Sequence, residues 1–436
     1  MWTSPTTARA PARTTPKPRS RLLLLLPTST YRATAFVDAA RRLGVTLTVA
    51  SEAPSTLEAV RADALLTLDF GDFDRAATEA RSFVRRWPVQ GVLGVDDDTV
   101  VLAAVLAETL DLPANPVSAA LAARDKHIQR QVLSRAGVRV PRFALHRLDD
   151  DLAAIAREVL YPCVVKPLRL SASRGVIRAD DPEAFVVAAR RLGTILSQPD
   201  VCRGEEPWTQ QFLVEEYVPG TEVALEGLLI DGTLHTLALF DKPDPLDGPF
   251  FEETIYLTPS GLHGEVQTAL ESCAARAAGA LGLTRGPVHA ELRWNSEGAW
   301  LIELAARPIG GRCSAALRFG PPGSETSLEE IVIRDALGMP LGSLERESAA
   351  SGVMMIPVPG AGVLREVRGV AAARAVAGVE DIVLTAHRGQ VLVPWPEGSR
   401  YPGFIFARGP NPATVEAALR SAHRCLRFDL DPPPED

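Results

Sequence analysis

The stretch that decides the fold is residues 289–304, which read His-Ala-Glu-Leu-Arg-Trp-Asn-Ser-Glu-Gly-Ala-Trp-Leu-Ile-Glu-Leu. Apolar and polar residues alternate on both sides of a short polar segment, so the pattern predicts a β-hairpin that turns at residues 295–299. Pairing Glu291 with Glu303 leaves one face wholly apolar, whereas a slip of one residue would send the two glutamates to opposite faces. The same register predicts three further cross-strand pairs: Trp294 with Trp300, Leu292 with Ile302, and Ala290 with Leu304.

The polar face of this hairpin is predicted to bind a metal ion. It carries His289, Glu291, Arg293 and Glu303, and directly opposed residues have Cβ atoms about 5 Å apart. Two carboxylates at that distance repel each other unless a positive charge lies between them. Mg²⁺ typically takes one or two carboxylates together with substrate phosphates, so we expect Mg²⁺, with Mn²⁺ as the alternative, at Glu291 and Glu303. Two solvated glutamates are the other interpretation, which the apolar neighbours of Glu303 disfavour.

Two neighbouring segments upstream point to phosphate. Lys166 ends the apolar run Cys-Val-Val-Lys that begins at residue 163, and an ammonium at the end of a buried strand is a good partner for a phosphate. Shortly after it, residues 171–175 read Ser-Ala-Ser-Arg-Gly, a small and flexible loop with hydroxyl and N–H donors. Each segment alone also fits a surface lysine or a hairpin turn, but together they favour phosphate binding.

Lysine is scarce in this chain. Of the 46 basic residues, only Lys17, Lys126, Lys166 and Lys242 are lysines. A chain so rich in arginine is expected to keep lysine mainly where a compact ammonium is needed.

Residues 211–223 are suited to hold a nucleoside. They predict a strand, a connection pinned by Pro219 and Gly220, and a second strand. The backbone of such a connection can offer N–H and C=O groups to a purine edge, and the carboxylate of Glu222 can accept ribose hydroxyls. Taken alone, this segment is a weak signal.

The remaining chain predicts an α/β protein with more than one domain. Residues 22–115 alternate strands and helices in the manner of an open parallel sheet, without a G-x-G-x-x-G motif. One helix is predicted over Ser118–Ala136, residues 216–310 are predicted to be rich in strands, and residues 352–436 to form a small α+β domain ending in the helix Pro412–Cys425. The run Asp96–Asp98 is expected to cap a helix or, because it follows a parallel strand, to face a ligand.

Composition excludes several classes of protein. The chain has 436 residues and a formal net charge of −8, so it is a poor candidate for binding nucleic acid or an anionic membrane. Its longest aliphatic run, Leu22–Leu26, is too short to span a bilayer. The five widely spaced cysteines lack a C-x-x-C motif and suit a reducing compartment, so we expect a cytoplasmic location. Residues 1–21 predict a disordered tail, with a targeting sequence as the alternative.

Taken in order, the motifs resemble those of the ATP-grasp superfamily. They are Asp125-Lys126, Tyr161-Pro-x-Val-Val-Lys-Pro167, Ser171-x-Ser-x-Gly-Val176, Val214-Glu-Glu-Tyr-Val-x-Gly-x-Glu222, the pair Glu291 and Glu303, and Ala305-Ala-Arg-Pro-Ile-Gly-Gly311. The resemblance covers about residues 115–315. Within the superfamily the chain is similar to carboxylate–amine ligases, particularly the L-amino acid ligases that make dipeptides. The cues are Glu-Leu-Ala-Ala-Arg-Pro, the segment Phe250–Thr254 and the Arg-Tyr-Pro-Gly-Phe stretch that begins at Arg400.

The resemblance implies a multidomain fold of α/β and α+β class. An N-terminal open parallel α/β, Rossmann-like domain would span residues 22–115 after the tail of residues 1–21. The ATP-grasp domain would span residues 116–335, with a lid subdomain at about 143–213. A small α+β C-terminal domain would span residues 336–436.

The resemblance also implies a role for each motif. Lys126 and Lys166 would hold the phosphates of ATP, and the lid loop would contribute Ser171, Ser173 and Gly175. Glu215, Glu216, Tyr217 and Val218 would form the adenine hinge, and Glu222 would contact the ribose. Arg307, together with Lys166, would stabilise the transferred phosphoryl group, while Glu291 and Glu303 would bind the metal. Substrate contacts are expected from Glu253, His289, Arg307, Gly310 and Gly311.

The implied reaction joins a carboxylate to an amine. The carboxylate attacks the γ-phosphate of ATP to give an acyl-phosphate and ADP, and an amine then displaces phosphate. The expected partners are two small molecules, one of them an amino acid, with no nucleic acid or membrane and with a homodimer as an open alternative. Ala305 stands where many members have Asn, which leaves the number of metal ions open. The alternatives are a purine-pathway or biotin-carboxylase-like enzyme and a non-catalytic nucleotide-binding protein of this fold.

Overall fold

The computed structural model of the protein describes residues 20–202 and 206–433. The predicted tail, residues 1–21, lies outside the described residues except for its last two. The strands are β1 (Arg21–Leu25), β2 (Thr46–Ser51), β3 (Leu65–Thr67), β4 (Gly91–Gly94), β5 (Phe143–Arg147), β6 (Cys163–Pro167), β7 (Ile177–Ala179), β8 (Gln211–Glu216), β9 (Thr221–Ile230), β10 (Thr233–Asp241), β11 (Ile255–Thr258), β12 (Gly286–Asn295), β13 (Gly298–Ala305), β14 (Ala350–Met355), β15 (Gly362–Arg368), β16 (Val379–Leu384), β17 (Val391–Leu392), β18 (Gly403–Gly409) and β19 (Arg427–Asp431).

The helices of the described residues separate these strands. They are α1 (Ala33–Leu43), α2 (Phe73–Val84), α3 (Val100–Thr109), α4 (Val117–Arg124), α5 (Lys126–Arg135), α6 (Leu152–Glu158), α7 (Pro182–Leu196), α8 (Gly264–Ala280), α9 (Leu328–Ala336), α10 (Val370–Arg374) and α11 (Pro412–Cys425). Within the described ranges, no helix combines the length and the apolar character needed to cross a membrane.

The N-terminal part is a four-stranded parallel sheet in the order β3-β2-β1-β4, which confirms the predicted Rossmann-like arrangement. Residues 22–25 of β1 are fully buried because the two faces of this strand pack into different cores. Leu22 shares one core with Phe36 of α1, and Leu23 shares the other with Ala76 of α2. The loops after β1 and β4 therefore lie together at the carboxyl edge of the sheet, where open α/β sheets bind ligands.

The single helix predicted over Ser118–Ala136 is wrong, because the chain breaks it at Asp125. This residue has an extended backbone, and its carboxylate accepts hydrogen bonds from the amides of His127 and Ile128 at 3.1 and 3.2 Å. An aspartate that caps one helix cannot continue the previous one. The break places Lys126 at the first position of α5.

The central sheet has eight antiparallel strands in the order β13-β12-β9-β10-β11-β14-β18-β16. Strands β14, β18 and β16 come from the C-terminal part, so this sheet is continuous across the predicted domain boundary at residues 335–336. A separate three-stranded sheet, β17-β15-β19, completes the C-terminal part.

The predicted lid segment folds as a four-stranded sheet in the order β5-β8-β6-β7, with α7 packed against the sheet and α6 packed against α7. Its core contains Phe185 of α7 and Phe212 of β8, both fully buried. The loop between β6 and β7 carries the small-residue segment 171–175 toward the rest of the molecule.

The hairpin of β12 and β13 confirms the key pair and corrects the others. Glu291 lies opposite Glu303 and Ala290 opposite Leu304, but a bulge follows, so Leu292 pairs with Leu301 and Trp294 with Ala299. The bulge inserts one extra residue, Ile302, into β13. The side chains of β13 beyond it therefore point to the opposite face of the sheet from the one predicted. The predicted pairs Leu292–Ile302 and Trp294–Trp300 are therefore wrong.

Candidate active site

A cavity of about 510 Å³ lies where the N-terminal sheet, the lid and the central sheet meet. The loops after β1 and β4 form one wall, the lid strands and residues 171–174 form a second, and the polar face of β9, β12 and β13 forms the floor. Residues 399–401 of the C-terminal part close the remaining side. The motifs that are far apart in the sequence therefore surround a single space.

Lys166 lies at one end of a buried charge network that joins the lid sheet to α5. Its Nζ is 2.7 Å from the carboxylate of Glu215, which also accepts hydrogen bonds from Arg130 at 2.6 and 3.3 Å. All three side chains are buried. Burial alone would raise the pKa of Glu215, but the two cations outweigh it and lower that pKa below its usual value. Glu215 thus remains ionised and holds the Lys166 ammonium at the cavity wall.

Lys126 faces the same cavity from the start of α5. Its Nζ donates to the carbonyl of Leu170 at 2.8 Å and forms an ion pair with Glu303 at 2.9 Å. The ammonium is therefore shared between the beginning of the lid loop and one of the two predicted metal ligands.

Lys242 is buried beneath the floor of the cavity, among three carboxylates that line it. Its Nζ is 2.7 Å from Glu222, 2.6 Å from Glu253 and 3.4 Å from Glu291. Burial would lower the pKa of Lys242, but the three carboxylates raise it well above its usual value. Burial raises the pKa of Glu253 to about 7, against the opposing effect of Lys242. Lys242 is absent from the predicted site residues, although the scarcity of lysine in the sequence marked it.

The predicted metal pair has a donor set that fits a divalent cation. Glu291 and Glu303 are directly opposed and both line the cavity, and a lysine ammonium compensates the charge of each. Among the described residues, Glu291 also belongs to a group with Glu222 and Glu253 in which one ligand atom of each lies within 4.8 Å of the others. Carboxylate oxygens in this arrangement are the ligands that Mg²⁺ and Mn²⁺ prefer.

Arg307 joins the floor of the cavity to the N-terminal sheet. Its guanidinium forms an ion pair with Asp97 at 2.8 Å and donates to the carbonyl of Pro308 at 3.0 Å. Burial would raise the pKa of Asp97, but Arg307 and Arg124 outweigh it and hold that pKa at about 2. The aspartates after β4 do not cap α3, because its cap position is Thr99, which makes no side-chain cap hydrogen bond. Asp97 instead pairs with Arg307 and lines the cavity, whereas its place after a parallel strand had suggested only that this loop faces a ligand.

The residues of the predicted adenine hinge face different surroundings in the structure. Glu215 points into the network with Lys166, and Glu216 forms an ion pair with Arg142 at 2.6 Å. In the described part of the chain, the buried Val218 N–H at the cavity wall has no hydrogen-bond partner, which leaves it free for a base. Tyr217 lies beside it, and its amide bonds the carbonyl of Pro162 at 3.0 Å.

Arg293 holds this hinge segment in place. It donates to the carbonyl of Val218 at 2.6 Å, to the carbonyl of Leu246 at 2.5 Å and to the carboxylate of Glu222 at 2.8 Å. Glu222 lines the cavity with both carboxylate oxygens already engaged by Arg293 and Lys242. A ribose hydroxyl would therefore meet an oriented carboxylate.

The other predicted contacts differ in their exposure to the cavity. Ser171 and Ser173 line it, whereas Gly175 supports the loop from behind, where an added Cβ would lie 2.8 Å from a methyl carbon of Leu192. Gly310 and Gly311 line the cavity, and a Cβ on Gly311 would lie 2.5 Å from the sulfur of Met355.

His289 lies on the cavity floor with Glu253. Its Nε2 is 3.8 Å from Glu291, and its Nδ1 has no hydrogen-bond partner among the described residues. Burial lowers the pKa of His289, which favours the neutral imidazole.

Three sequence profiles match different parts of the chain. The ATP-grasp domain matches residues 159–316, the ATP-grasp N-terminal domain matches residues 37–114, and L-amino acid ligase C-terminal domain 2 matches residues 354–431. Together they extend over most of the chain in the order in which the structure arranges its parts.

Similar proteins include ligases. The alanine–anticapsin ligase of Bacillus subtilis is 28% identical over 59% of this chain and 58% of its own length, and human carnosine synthase 1 is 27% identical over 63% and 35%. The chain thus spans about three fifths of the first protein and about a third of the second. An uncharacterized protein of Sinorhizobium fredii is 23% identical over 94% of this chain and 84% of its own length.

The fold is also found in solved structures. The L-amino acid ligase from Bacillus licheniformis superposes with a TM-score of 0.75 at 26% identity, covering 95% of this chain and 99% of that one. A carboxyaminoimidazole ribonucleotide synthase from Aspergillus clavatus, complexed with ATP, superposes with a TM-score of 0.69 at 16% identity over 94% and 99%.

Proposed function

The chain belongs to the ATP-grasp superfamily, and we propose that it is an ATP-dependent ligase that joins the carboxylate of an amino acid to an amine through an acyl-phosphate. The observation that carries this proposal is the convergence on one cavity of two buried lysines, Arg307 and the opposed pair Glu291 and Glu303. The similarity to an L-amino acid ligase along nearly the whole chain supports the substrate class.

In the proposed complex, ATP lies between the lid and the floor of the cavity. The free N–H of Val218 receives the base and Glu222 the ribose, while Lys126 and Lys166 neutralise the phosphates. Lys242, which is buried beneath the cavity, pairs with Glu291 at 3.4 Å and keeps that carboxylate in position. The carboxylates of Glu291 and Glu303, each paired with a lysine, fit a bound Mg²⁺. They would hold the ion, which would neutralise phosphate charge.

The chemistry needs positioning and charge neutralisation more than a covalent role for the protein. A substrate carboxylate oxygen attacks the γ-phosphorus, the bond to the β-phosphate oxygen breaks, and ADP leaves. The amine nitrogen then attacks the acyl carbon, loses its proton and expels inorganic phosphate. Arg307, fixed by Asp97, faces the region where negative charge develops. Closure of the lid keeps water from the acyl-phosphate.

The proposal also includes a cytoplasmic location. Cys163, Cys273, Cys313 and Cys425 form no disulfide bond, which is consistent with work in a reducing compartment such as the cytoplasm.

The test is phosphate release from Mg-ATP with L-amino acids supplied singly and in pairs. We expect ADP and phosphate in equal amounts, release that depends on a pair of substrates, and capture of the intermediate as a hydroxamate when hydroxylamine replaces the amine. Glu303→Gln is expected to abolish release, whereas Glu297→Gln, in the exposed turn of the same hairpin, is expected to retain it. AMP and pyrophosphate as products would contradict the proposed chemistry.

A further inference from the structure

The lid loop, Ser171–Gly175, is attached to a short C-terminal segment, Trp395–Glu397, which we call the latch. The indole Nε1 of Trp395 donates to the carbonyl of Ala172 at 2.8 Å, and the amide of Gly175 donates to the carbonyl of Pro396 at 2.9 Å. The guanidinium of Arg174 donates to the carbonyl of Glu397 at 3.0 Å. Three hydrogen bonds therefore join two segments more than 200 residues apart in the chain.

An ion pair extends the attachment to the body of the lid. The carboxylate of Glu397 accepts two hydrogen bonds from Arg191 of α7, at 2.5 and 2.8 Å. This bidentate geometry fixes orientation as well as distance. The latch thus holds both the loop and the helix that packs on the lid sheet.

The loop needs such support because of its backbone. Ala172 and Ser173 both have a φ of 54°, in the left-handed region that residues with a Cβ rarely adopt. One hydrogen bond to the latch is made by the carbonyl of Ala172, between these two residues, and another by the amide of Gly175, shortly after them. The bonds to the latch therefore stabilise a backbone conformation that is unfavourable for residues with a Cβ.

The latch is also continuous with the cavity wall. Ser399, Arg400 and Tyr401 line the cavity, and the ring of Tyr401 lies 4.7 Å from that of Trp395. The segment that holds the loop and the segment that closes the open side of the cavity are therefore adjacent and in contact.

We propose that Trp395 and Glu397 are positioning residues that hold the lid loop closed over the phosphates, so that the C-terminal part of the chain controls access of water to the reacting centre. The inference rests on the proposed function, since it concerns the acyl-phosphate formed there. When the latch is loosened, the loop opens more often, and water competes with the amine for the acyl carbon. Each such event forms a bond from the water oxygen to carbon, expels phosphate and regenerates the free carboxylic acid.

The experiment compares the native protein with Trp395→Phe, Glu397→Gln and the double variant. Phenylalanine keeps a ring beside Tyr401 but removes the N–H donor, and glutamine removes the charge that pairs with Arg191. Asp149→Asn is the matched control, because it breaks an exposed ion pair with Arg147 on the same lid.

The first measurement is hydrogen exchange of the amides of residues 171–176, which requires no catalytic turnover. Loss of one hydrogen bond is expected to speed exchange about fivefold in each single variant and more in the double variant. The control is expected to exchange like the native protein. Unchanged exchange in the double variant would overturn the proposal.

The second measurement is the ratio of phosphate released to amide formed at saturating substrates. We expect a ratio near one in the native protein and the control, and a ratio of about two or more in the double variant, because a general loss of structure would lower both products together. A ratio that stays at one although the loop exchanges faster would refute the role in excluding water. Absence of any phosphate release in the native protein would contradict the proposed function instead, and the exchange data would still decide whether the latch holds the loop.

Discussion

Replacing Glu215 with glutamine should cost the protein much of its stability, although glutamine has nearly the same shape. Glu215 is 2% exposed and carries the only negative charge in contact with both Lys166 and Arg130 among the described residues. Glutamine leaves two buried cations facing each other, and Nη1 of Arg130 already has no partner in the described structure. Breaking a buried ion pair by removing one partner costs about 3–5 kcal/mol, which is a large fraction of the stability of a typical domain.

The neighbouring residue provides the control. Glu216 pairs with Arg142 near the surface, where the arginine side chain is 74% exposed, and such a pair contributes about 0–1 kcal/mol. Urea unfolding of Glu215→Gln and Glu216→Gln at pH 7, followed by circular dichroism, measures both losses on one strand. Equal losses below about 1 kcal/mol would refute the assignment of a structural role to the buried network.

Acidification gives the same prediction an independent test. The pKa of Glu215 is lower in the folded protein than its usual value near 4.5. The contribution of Glu215 to the free energy of unfolding is therefore fully present above pH 4.5 and is lost as pH falls through the lowered pKa of the folded state. The stability difference between the native protein and Glu215→Gln should therefore shrink below about pH 4.5. A difference that stays constant to pH 3 would show that charge is not its cause.

Three further predictions concern the cavity. Arg307→Ala should lower kcat by about 10²–10³-fold with a smaller change in ATP affinity, because the charge of Arg307 is needed where negative charge develops. Steady-state kinetics measures the first effect and calorimetry the second. Equal losses of kcat and ATP affinity would show that Arg307 binds the phosphates of ATP before the reaction rather than stabilising the transition state. Saturating Mg-ATP, at about 100 times its Kd, should stabilise the native protein by roughly 2.7 kcal/mol and Glu303→Ala by less, as thermal unfolding would report; an unchanged shift would argue against a metal-bridged nucleotide. Lys242→Met should impair ATP use and create binding of Mn²⁺ alone at Glu222, Glu253 and Glu291, measurable by electron paramagnetic resonance; unaltered Mn²⁺ binding would contradict the proposal that Lys242 compensates these carboxylates.

Local patterns predicted the parts of the fold in which burial alternates regularly. The parallel strands of the first 95 residues, the strand ending in Lys166 and the pair Glu291–Glu303 follow directly from runs or alternations of apolar residues. The final helix, Pro412–Cys425, has proline at its start and Asn411 as its cap, both of which are readable signals.

Other features depended on contacts that no local pattern reports. The bulge at Ile302 adds one residue to β13. The sequence does not reveal it, because the hairpin buries apolar side chains both in the register with the bulge and in the register without it. The helix α8 was hidden among predicted strands, because its run of alanines has little amphipathic contrast. Its buried face, including Leu270 and Ala274, is set by packing against the central sheet.

In the candidate site, too, the sequence predicted some residues and missed others. Motif residues were found by their type and order, but Arg130, Asp97 and Lys242 act through partners more than ten residues away in sequence and have no motif of their own. The predicted adenine hinge is the clearest example, since Glu215 and Glu216 are adjacent in sequence and point to different environments. Alternation along a strand sends one to the buried network and the other toward the surface.

The choice between lysine and arginine in this cavity follows from the number of acceptors each must satisfy. Arg130 and Arg293 each bond a carboxylate and one or more backbone carbonyls, an arrangement that a planar fork of donors can hold and a single ammonium cannot. Lys126, Lys166 and Lys242 instead present one compact charge to carboxylates at the surface of the cavity. An ammonium on a flexible stem can turn from a carboxylate to a phosphate without breaking a fixed set of bonds. In the proposed complex, Lys126 and Lys166 would therefore pass their charge to the phosphates, while Lys242 and the arginines would keep the carboxylates in position.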